Sequence, residues 1–354
     1  MFKRMTRRRV LSVGASAAVL FTGQSCSTPV NKPSNQSSHP SFLSPWSPPP
    51  DLERDLTPGT TQIRLASWSN TTTLDYPGDN MSITELVKRI RDAGYTSGNA
   101  RGGRTSDPWL EASEADIREL KDALKKYDVT FFDMHAVANN VHPDADERES
   151  DRKYVCKALE AAERVECPMV TTHIGTRSLE SNMAPHKDNW TMDTWNLGVN
   201  SIKQILKDTS GMKASLGMEP INMTPLNNPR AFKRFLEDVG DPRCKVCIDP
   251  VNMMNMSVYL RNTELINESF DLLGENIMAG HAKDTYVLPN RMSVYLTENA
   301  PGQGILDYET YLVRLSRLSY PRSLLIEHIP DEQYAGAKKY IEENAARVGV
   351  KLYV

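Results

Sequence analysis

Four side chains able to hold a divalent cation stand at the ends of four short apolar runs in the second half of the sequence. Lys213-Ala-Ser-Leu-Gly-Met-Glu-Pro-Ile-Asn222 carries Glu219 at the end of one run, where Pro220 bars the next ladder hydrogen bond. Cys244-Lys-Val-Cys-Ile-Asp249 ends on Asp249 and is again followed by a proline, Pro250. Ile277-Met-Ala-Gly-His281 ends on His281 and runs into Lys283 and Asp284, and Ser323-Leu-Leu-Ile-Glu327 ends on Glu327. Two glutamates, one aspartate and one neutral imidazole form a hard, oxygen-rich ligand set. It suits Mn2+ first, with Mg2+, Co2+ or Zn2+ as alternatives, and is unlike the thiolate sets of structural zinc. A six-coordinate ion so held keeps two positions for substrate oxygens or water. One carboxylate at a strand end reads as well as a cap or an ion-pair partner; four on successive strands read as one site.

Convergence requires strands that all point the same way, and parallel strands separated by crossover helices do. The periodicity predicts eight strand–helix units. The first strand covers 63–69, and Ser82-Ile-Thr-Glu85 is a capping box opening a helix to about 94. Strands follow over 95–100, 129–135, 169–173 and 216–219, with helices over 113–127, 147–166, 193–207 and 229–239. The last three strands are those quoted above, with helices over about 264–273, 307–318 and 332–348. The expected fold class is α/β, a (β/α)8 TIM barrel over residues 58–354, with the ligands at the carboxyl end of the strands.

The motifs Met218-Glu-Pro-Ile-Asn222, Ile248-Asp-Pro-Val-Asn252, Gly280-His-Ala-Lys-Asp284 and Ile326-Glu327, together with Met134-His135 and Thr172-His-Ile-Gly175, resemble the sugar phosphate isomerase/epimerase family, the xylose isomerase-like TIM barrels. The resemblance covers about residues 60–350 and speaks to fold and metal site more than to substrate. It implies that Asp249 and His281 are ligands. It implies too, from the ketose 3-epimerase branch, that Glu219 and Glu327 are both ligands and proton carriers on opposite faces of one substrate carbon. The chain departs from that branch at Asn252, where a histidine is usual, and at Val287, where an arginine is usual.

Other side chains expected at the same mouth are His135 and His173, as partners of substrate hydroxyls or caps of neighbouring strands, and Lys283, as a substrate-orienting cation or a surface ion-pair partner. Asn252 and Trp109 are further candidates for substrate binding, and Asp284 for orienting a ligand. His328 is expected to face away, on the opposite side of its strand from Glu327. Three long loops, 101–112, 176–190 and 285–304, carry or border Trp109, Trp190, Tyr286 and Tyr295, which could cover a sugar face or plug the mouth as core.

Residues 1–26 are expected to be a twin-arginine-type export signal, from Arg7-Arg8-Arg9 and the apolar stretch after them, with Cys26 a candidate for lipidation. Residues 27–57 read as a disordered Pro/Ser-rich linker. The expected location is therefore the periplasm, or a membrane to which Cys26 anchors the chain. The formal charge is −3, and the first 26 residues carry five basic and no acidic residues, so their removal leaves −8. That balance disfavours a nucleic-acid partner, and with Asn252 in place of a histidine it also disfavours the zinc-dependent endonucleases of the same barrel. Cys244 and Cys247 would lie about 10 Å apart on a strand, beyond disulfide reach, and they read with Cys156 and Cys167 as buried structural thiols.

The function expected is a metal-dependent sugar isomerase or epimerase. Its partner is a small non-phosphorylated sugar or keto-sugar, and its first step is proton abstraction alpha to a carbonyl. The alternatives are a keto-sugar lyase or hydratase on the same site, and a non-catalytic sugar-binding lipoprotein.

Overall fold

The computed structural model describes residues 54–70, 72–77, 80–101 and 108–353. The expected signal, Cys26 and most of the expected linker lie outside them. Ordered contacts begin by Arg54, ahead of the boundary read from composition, through ion pairs to Asp307 and Glu309.

Eight parallel strands form the barrel: β1 (Ile63–Ser67), β2 (Ser97–Ala100), β3 (Thr130–His135), β4 (Met169–His173), β5 (Ser215–Glu219), β6 (Cys244–Ile248), β7 (Ile277–Ala282) and, after two short strands, β10 (Arg322–Ile326). They are hydrogen-bonded in the order β1-β10-β7-β6-β5-β4-β3-β2. The circle closes between β1 and β2 through Thr96 N–H to the Leu65 carbonyl at 3.2 Å rather than through a ladder. The helices are α1 (Ile83–Asp92), α2 (Pro108–Glu111), α3 (Glu114–Tyr127), α4 (Ala145–Val165), α5 (Met192–Asp208), α6 (Pro229–Val239), α7 (Asn262–Leu273), α8 (Tyr308–Ser316) and α9 (Tyr334–Arg347). None of the described helices is long and apolar enough to cross a membrane.

Local chemistry sets the helix ends. Ser82 caps α1 by accepting from Glu85 N–H, while the reciprocal capping box forms at Ser113 and Asp116 on α3. Asn228 and Pro229 open α6, and Gly240 ends it at φ 69°. The helices bury one apolar face against the outside of the barrel. Inside it, Ala66, Phe132, Met169, Cys247, Ala279 and Leu325 form a separate small cluster. In β3 the register with β2 skips Phe132. This bulge lets Phe132 join the interior cluster while Asp133 turns to Thr171 and His135, within the same barrel.

The two additional strands, β8 (Asp284–Val287) and β9 (Leu296–Asn299), pair as an antiparallel hairpin in the region read from sequence as loop 285–304. At the far end of the barrel the chain's last described residues close the seam. Ile63 N–H donates to the Lys351 carbonyl and Tyr353 N–H to the Ile63 carbonyl, at 3.1 and 2.8 Å. The incoming segment lies on the same side, where Gly59 N–H and Thr61 N–H bond Ser316.

Candidate metal centre

Strand register brings the four predicted ligands to one level. His173 pairs with Glu219 across β4 and β5, Ile248 with Gly280 across β6 and β7, and Leu325 with His281 across β10 and β7. Asp249 and Glu327 each stand one residue past their strand. Ligand atoms of Glu219, Asp249, His281 and Glu327 all lie within 4.8 Å of one another, and all four side chains are buried. His281 Nδ1 is the hub, 3.1 Å from Glu219 Oε1, 3.0 Å from Glu327 Oε1 and 3.8 Å from Asp249 Oδ2.

Each ligand is held by its neighbours. Asp249 Oδ1 accepts from Val251 N–H and Asn252 N–H at 2.9 and 3.1 Å, a local turn that leaves Oδ2 for the centre. Glu219 Oε2 meets His173 Nε2 at 2.9 Å and Glu219 Oε1 accepts from Asn252 Nδ2 at 2.8 Å. His281 Nε2 lies 3.2 Å from Cys247 Sγ, and the His281 ring stacks on His135 with centroids 5.5 Å apart. Beneath it Tyr311 donates to the His281 and Ile248 carbonyls. Gly280 is required there, since a Cβ would meet Tyr311 Oη at 2.3 Å.

Lys283 Nζ enters the same cluster, 2.9 Å from Asp249 Oδ2, 3.1 Å from Glu327 Oε1 and 2.9 Å from Asn252 Oδ1. Asp249 Oδ2 and Glu327 Oε1 thus face both this ammonium and the His281 imidazole. Three buried carboxylates and an imidazole with ligand atoms this close form a donor set of the kind that holds a divalent cation. The residues therefore fit a divalent metal, with Glu219, Asp249, His281 and Glu327 as the holders.

The electrostatics follow. Burial alone would raise the Glu219 carboxyl, but His281 and His173 beside it hold it well below the carboxylate range. Burial acts the same way on Glu327, and His281 and Lys283 overcome it. Burial disfavours the charged His281, yet Cys247, Glu327 and Glu219 around it push its pKa well up. Lys283 likewise is held charged against burial by Asp249 and Glu327.

The other expected residues divide. His135 and His173 line the interior beside the ligands, and Asn252 bridges Glu219 and Lys283. Trp109 is 1% exposed, donates Nε1–H to the Leu74 carbonyl at 2.7 Å and packs on Tyr76 and Phe131. Its place is in the core under its loop, not in contact with a substrate. The Asp284 carboxylate accepts from Thr285, Leu306 and Gly302 amides at 2.9 to 3.0 Å. It organises the loop before α8 rather than a ligand. His328 corrects the expectation that it faces away: at φ 56° the chain turns after β10, and His328 Nδ1 lies 3.5 Å from Lys283 Nζ and 3.3 Å from Glu298 Oε2. Alternation along a strand predicts direction only while the strand lasts, and β10 ends at Ile326. Cys247, Asp133 and Glu298 were not read as site residues. Cys247 stands two before Asp249 on the same face of β6, which was the available signal. The inward turn of Asp133 comes from a bulge that leaves no mark in the sequence.

A sequence profile of the xylose isomerase-like TIM barrel matches residues 87–348. The chain belongs to that family. No curated protein matches it in sequence. Among solved structures, a xylose isomerase domain protein from Planctomyces limnophilus superposes with a TM-score of 0.58 at 16% identity, over 82% of this chain and 98% of that one. The 3-keto-D-glucoside 4-epimerase of E. coli gives 0.53 at 16%, over 81% and 99%. A family protein from Mycobacterium smegmatis, solved in complex with magnesium, gives 0.58 at 12%, over 81% and 97%. At these identities the likeness establishes the fold.

Proposed function

We propose that this chain is a divalent-metal-dependent isomerase or epimerase of a non-phosphorylated sugar or keto-sugar, working by proton abstraction next to a carbonyl. One observation carries the reading: Glu219 and Glu327, on different strands, both flank His281 Nδ1 within 3.1 Å, so two buried carboxylates face one small volume. The sugar epimerase among its structural neighbours supports the same class of chemistry.

A bound metal would supply Lewis acidity, lowering the pKa of the carbon-bound hydrogen beside a substrate carbonyl. Glu219 and Glu327 are the proton carriers. Both are held ionised, so either can accept a proton from carbon; the other must first take a proton from solvent to return it to the opposite face, and the first then releases its own to solvent. His173, bonded to Glu219 Oε2, steadies that carboxylate in either state. Asn252 and Lys283 fix the remaining polar edge and orient substrate hydroxyls.

The test is incubation of the metal-loaded protein in D2O with a panel of free sugars and keto-sugars, followed by NMR of carbon-bound hydrogens. Solvent deuterium at one carbon of a converted or recovered sugar is the expected result. Turnover without deuterium would point to hydride transfer and strip the two glutamates of their acid–base role. Absence of both exchange and turnover across the panel would overturn the reading.

A further inference from the structure

A neutral imidazole carries one N–H, and the ring nitrogen that holds it cannot ligate. Which nitrogen is left bare depends on the hydrogen bond that the other one makes. In His281 the nitrogen facing the carboxylates is Nδ1, 3.1 Å from Glu219 Oε1 and 3.0 Å from Glu327 Oε1. For Nδ1 to offer its lone pair to a cation, the proton must stand on Nε2. The His281 side chain is fully buried, so that N–H has no bulk water to donate to. A buried donor needs an acceptor within the protein.

The group at Nε2 is Cys247 Sγ, 3.2 Å away. The strands place it there. Val246 pairs with Ile277, but Cys247 pairs with Ala279, so the register between β6 and β7 skips Met278. With that shift Cys247 and Ala279 both join the barrel interior. His281, two residues beyond Ala279, projects from the same face of β7. The ring is fixed on other sides as well, by the stacked His135 ring and by Tyr311, which donates to the His281 carbonyl.

We infer that Cys247 is a positioning residue of the metal centre: its sulfur accepts the His281 Nε2–H and so reserves Nδ1 for the metal. The inference rests on the metal-dependent reading above and assigns the residue that orients its one nitrogen ligand. Ligating histidines are commonly oriented by a carboxylate or a backbone carbonyl. Here the interior carboxylate on the neighbouring face, Asp133, is committed elsewhere, to His135 Nε2 at 2.7 Å and Thr171 Oγ1 at 2.9 Å. Packing in the interior cluster accounts for the burial of Cys247, but not for a sulfur set against the ring nitrogen of a ligand.

The test compares Cys247→Ser and Cys247→Ala in the full chain, with Zn2+ as the probe. Both variants lose the apolar sulfur, and only serine keeps an acceptor. Packing alone predicts that serine is no better than alanine. The orienting role predicts that Cys247→Ala weakens the Zn2+ Kd by about ten- to a hundredfold, as removal of a ligand's orienting partner does, and that Cys247→Ser stays within a few-fold of wild type. Long-range proton–nitrogen NMR of the Zn2+-loaded protein, labelled with 15N-histidine, reads the ring directly. The His281 proton should be on Nε2 in the wild type and in Cys247→Ser. Equal Zn2+ affinity in wild type and Cys247→Ala would overturn the inference, as would equal weakening in the two variants. If Cys247→Ala does not fold, the wild-type spectrum decides: a proton on Nδ1 of His281 in the loaded protein overturns it. A wild type that takes up no Zn2+, Mn2+ or Mg2+ would instead overturn the metal centre itself, and this inference with it.

Discussion

Asn252 donates its side-chain N–H to Glu219 Oε1 at 2.8 Å, and the same carboxamide accepts from Lys283 at 2.9 Å. One neutral side chain thereby spaces a buried base from a buried cation. Asn252→Ala should leave the barrel folded, since the residue is half-buried at the mouth, and should weaken metal affinity or kcat/KM by roughly ten- to a hundredfold, as loss of a ligand's supporting partner does. Unchanged metal Kd and unchanged kinetics would show that Glu219 needs no such support.

Asp249→Ala should abolish metal binding while the melting transition stays cooperative, because a ligand at the barrel mouth contributes to function more than to the core. Elemental analysis after dialysis checks this directly. In the wild type, His281 must shed its raised proton to ligate, so metal binding should release protons. Titration calorimetry in buffers of different ionisation enthalpy reads that release, and an identical heat in all of them would remove His281 from the ligand set.

Glu219→Gln and Glu327→Gln keep the shape and one ligating oxygen but remove the base. Each should retain measurable metal affinity and lose about a hundredfold or more in kcat. One of the two variants should still exchange a substrate hydrogen with D2O without completing turnover. A variant with wild-type kcat would exclude that glutamate as a proton carrier.

Stability of the metal-free protein should depend on pH in two opposite ways. Glu219 and Glu327 are depressed below the ordinary 4.5, so the unfolded chain binds more protons at low pH and their stabilisation is lost as pH falls below about 4.5. His281 is raised above 6.5, so its stabilisation is complete below that value and is lost as pH rises through its folded pKa. Tm should therefore be highest between about pH 5 and 6.5, and saturating metal should remove the decline on the alkaline side by replacing the proton. A flat Tm from pH 3 to 9 without metal would contradict the buried charge cluster.

Asp284→Ala would strand the Thr285, Gly302 and Leu306 amides that share its carboxylate. The expected cost is about 1–3 kcal/mol, as for buried donors left unpaired, with faster proteolytic cleavage near residues 300–306 and unchanged metal content. If metal content fell instead, Asp284 would be acting on the ligands after all.

The eight strand–helix alternations and the clustering of Glu219, Asp249, His281 and Glu327 were legible because those four stand at the ends of short buried runs, a signal carried within six or so neighbouring positions. What escaped was set by contacts between distant segments or by backbone turns. His328 was misread because β10 stops at Ile326 and the backbone turns at φ 56°. Trp109 reads like a loop aromatic until the carbonyl of Leu74 and the ring of Phe131 are beside it. Asp284 stands one residue after Lys283 and three after His281, yet its partners lie at 302 and 306, and no local pattern announces them.

The last described residues of the chain, 351–353, sit against Ile63 on the side of the barrel away from the ligands. For practical handling this gives the molecule a back and a front. A fluorophore, affinity handle or solid support coupled there would hold the barrel by its base and leave the buried carboxylate cluster at the other end turned toward solution. Binding measured on an immobilised sample should then match binding measured free in solution.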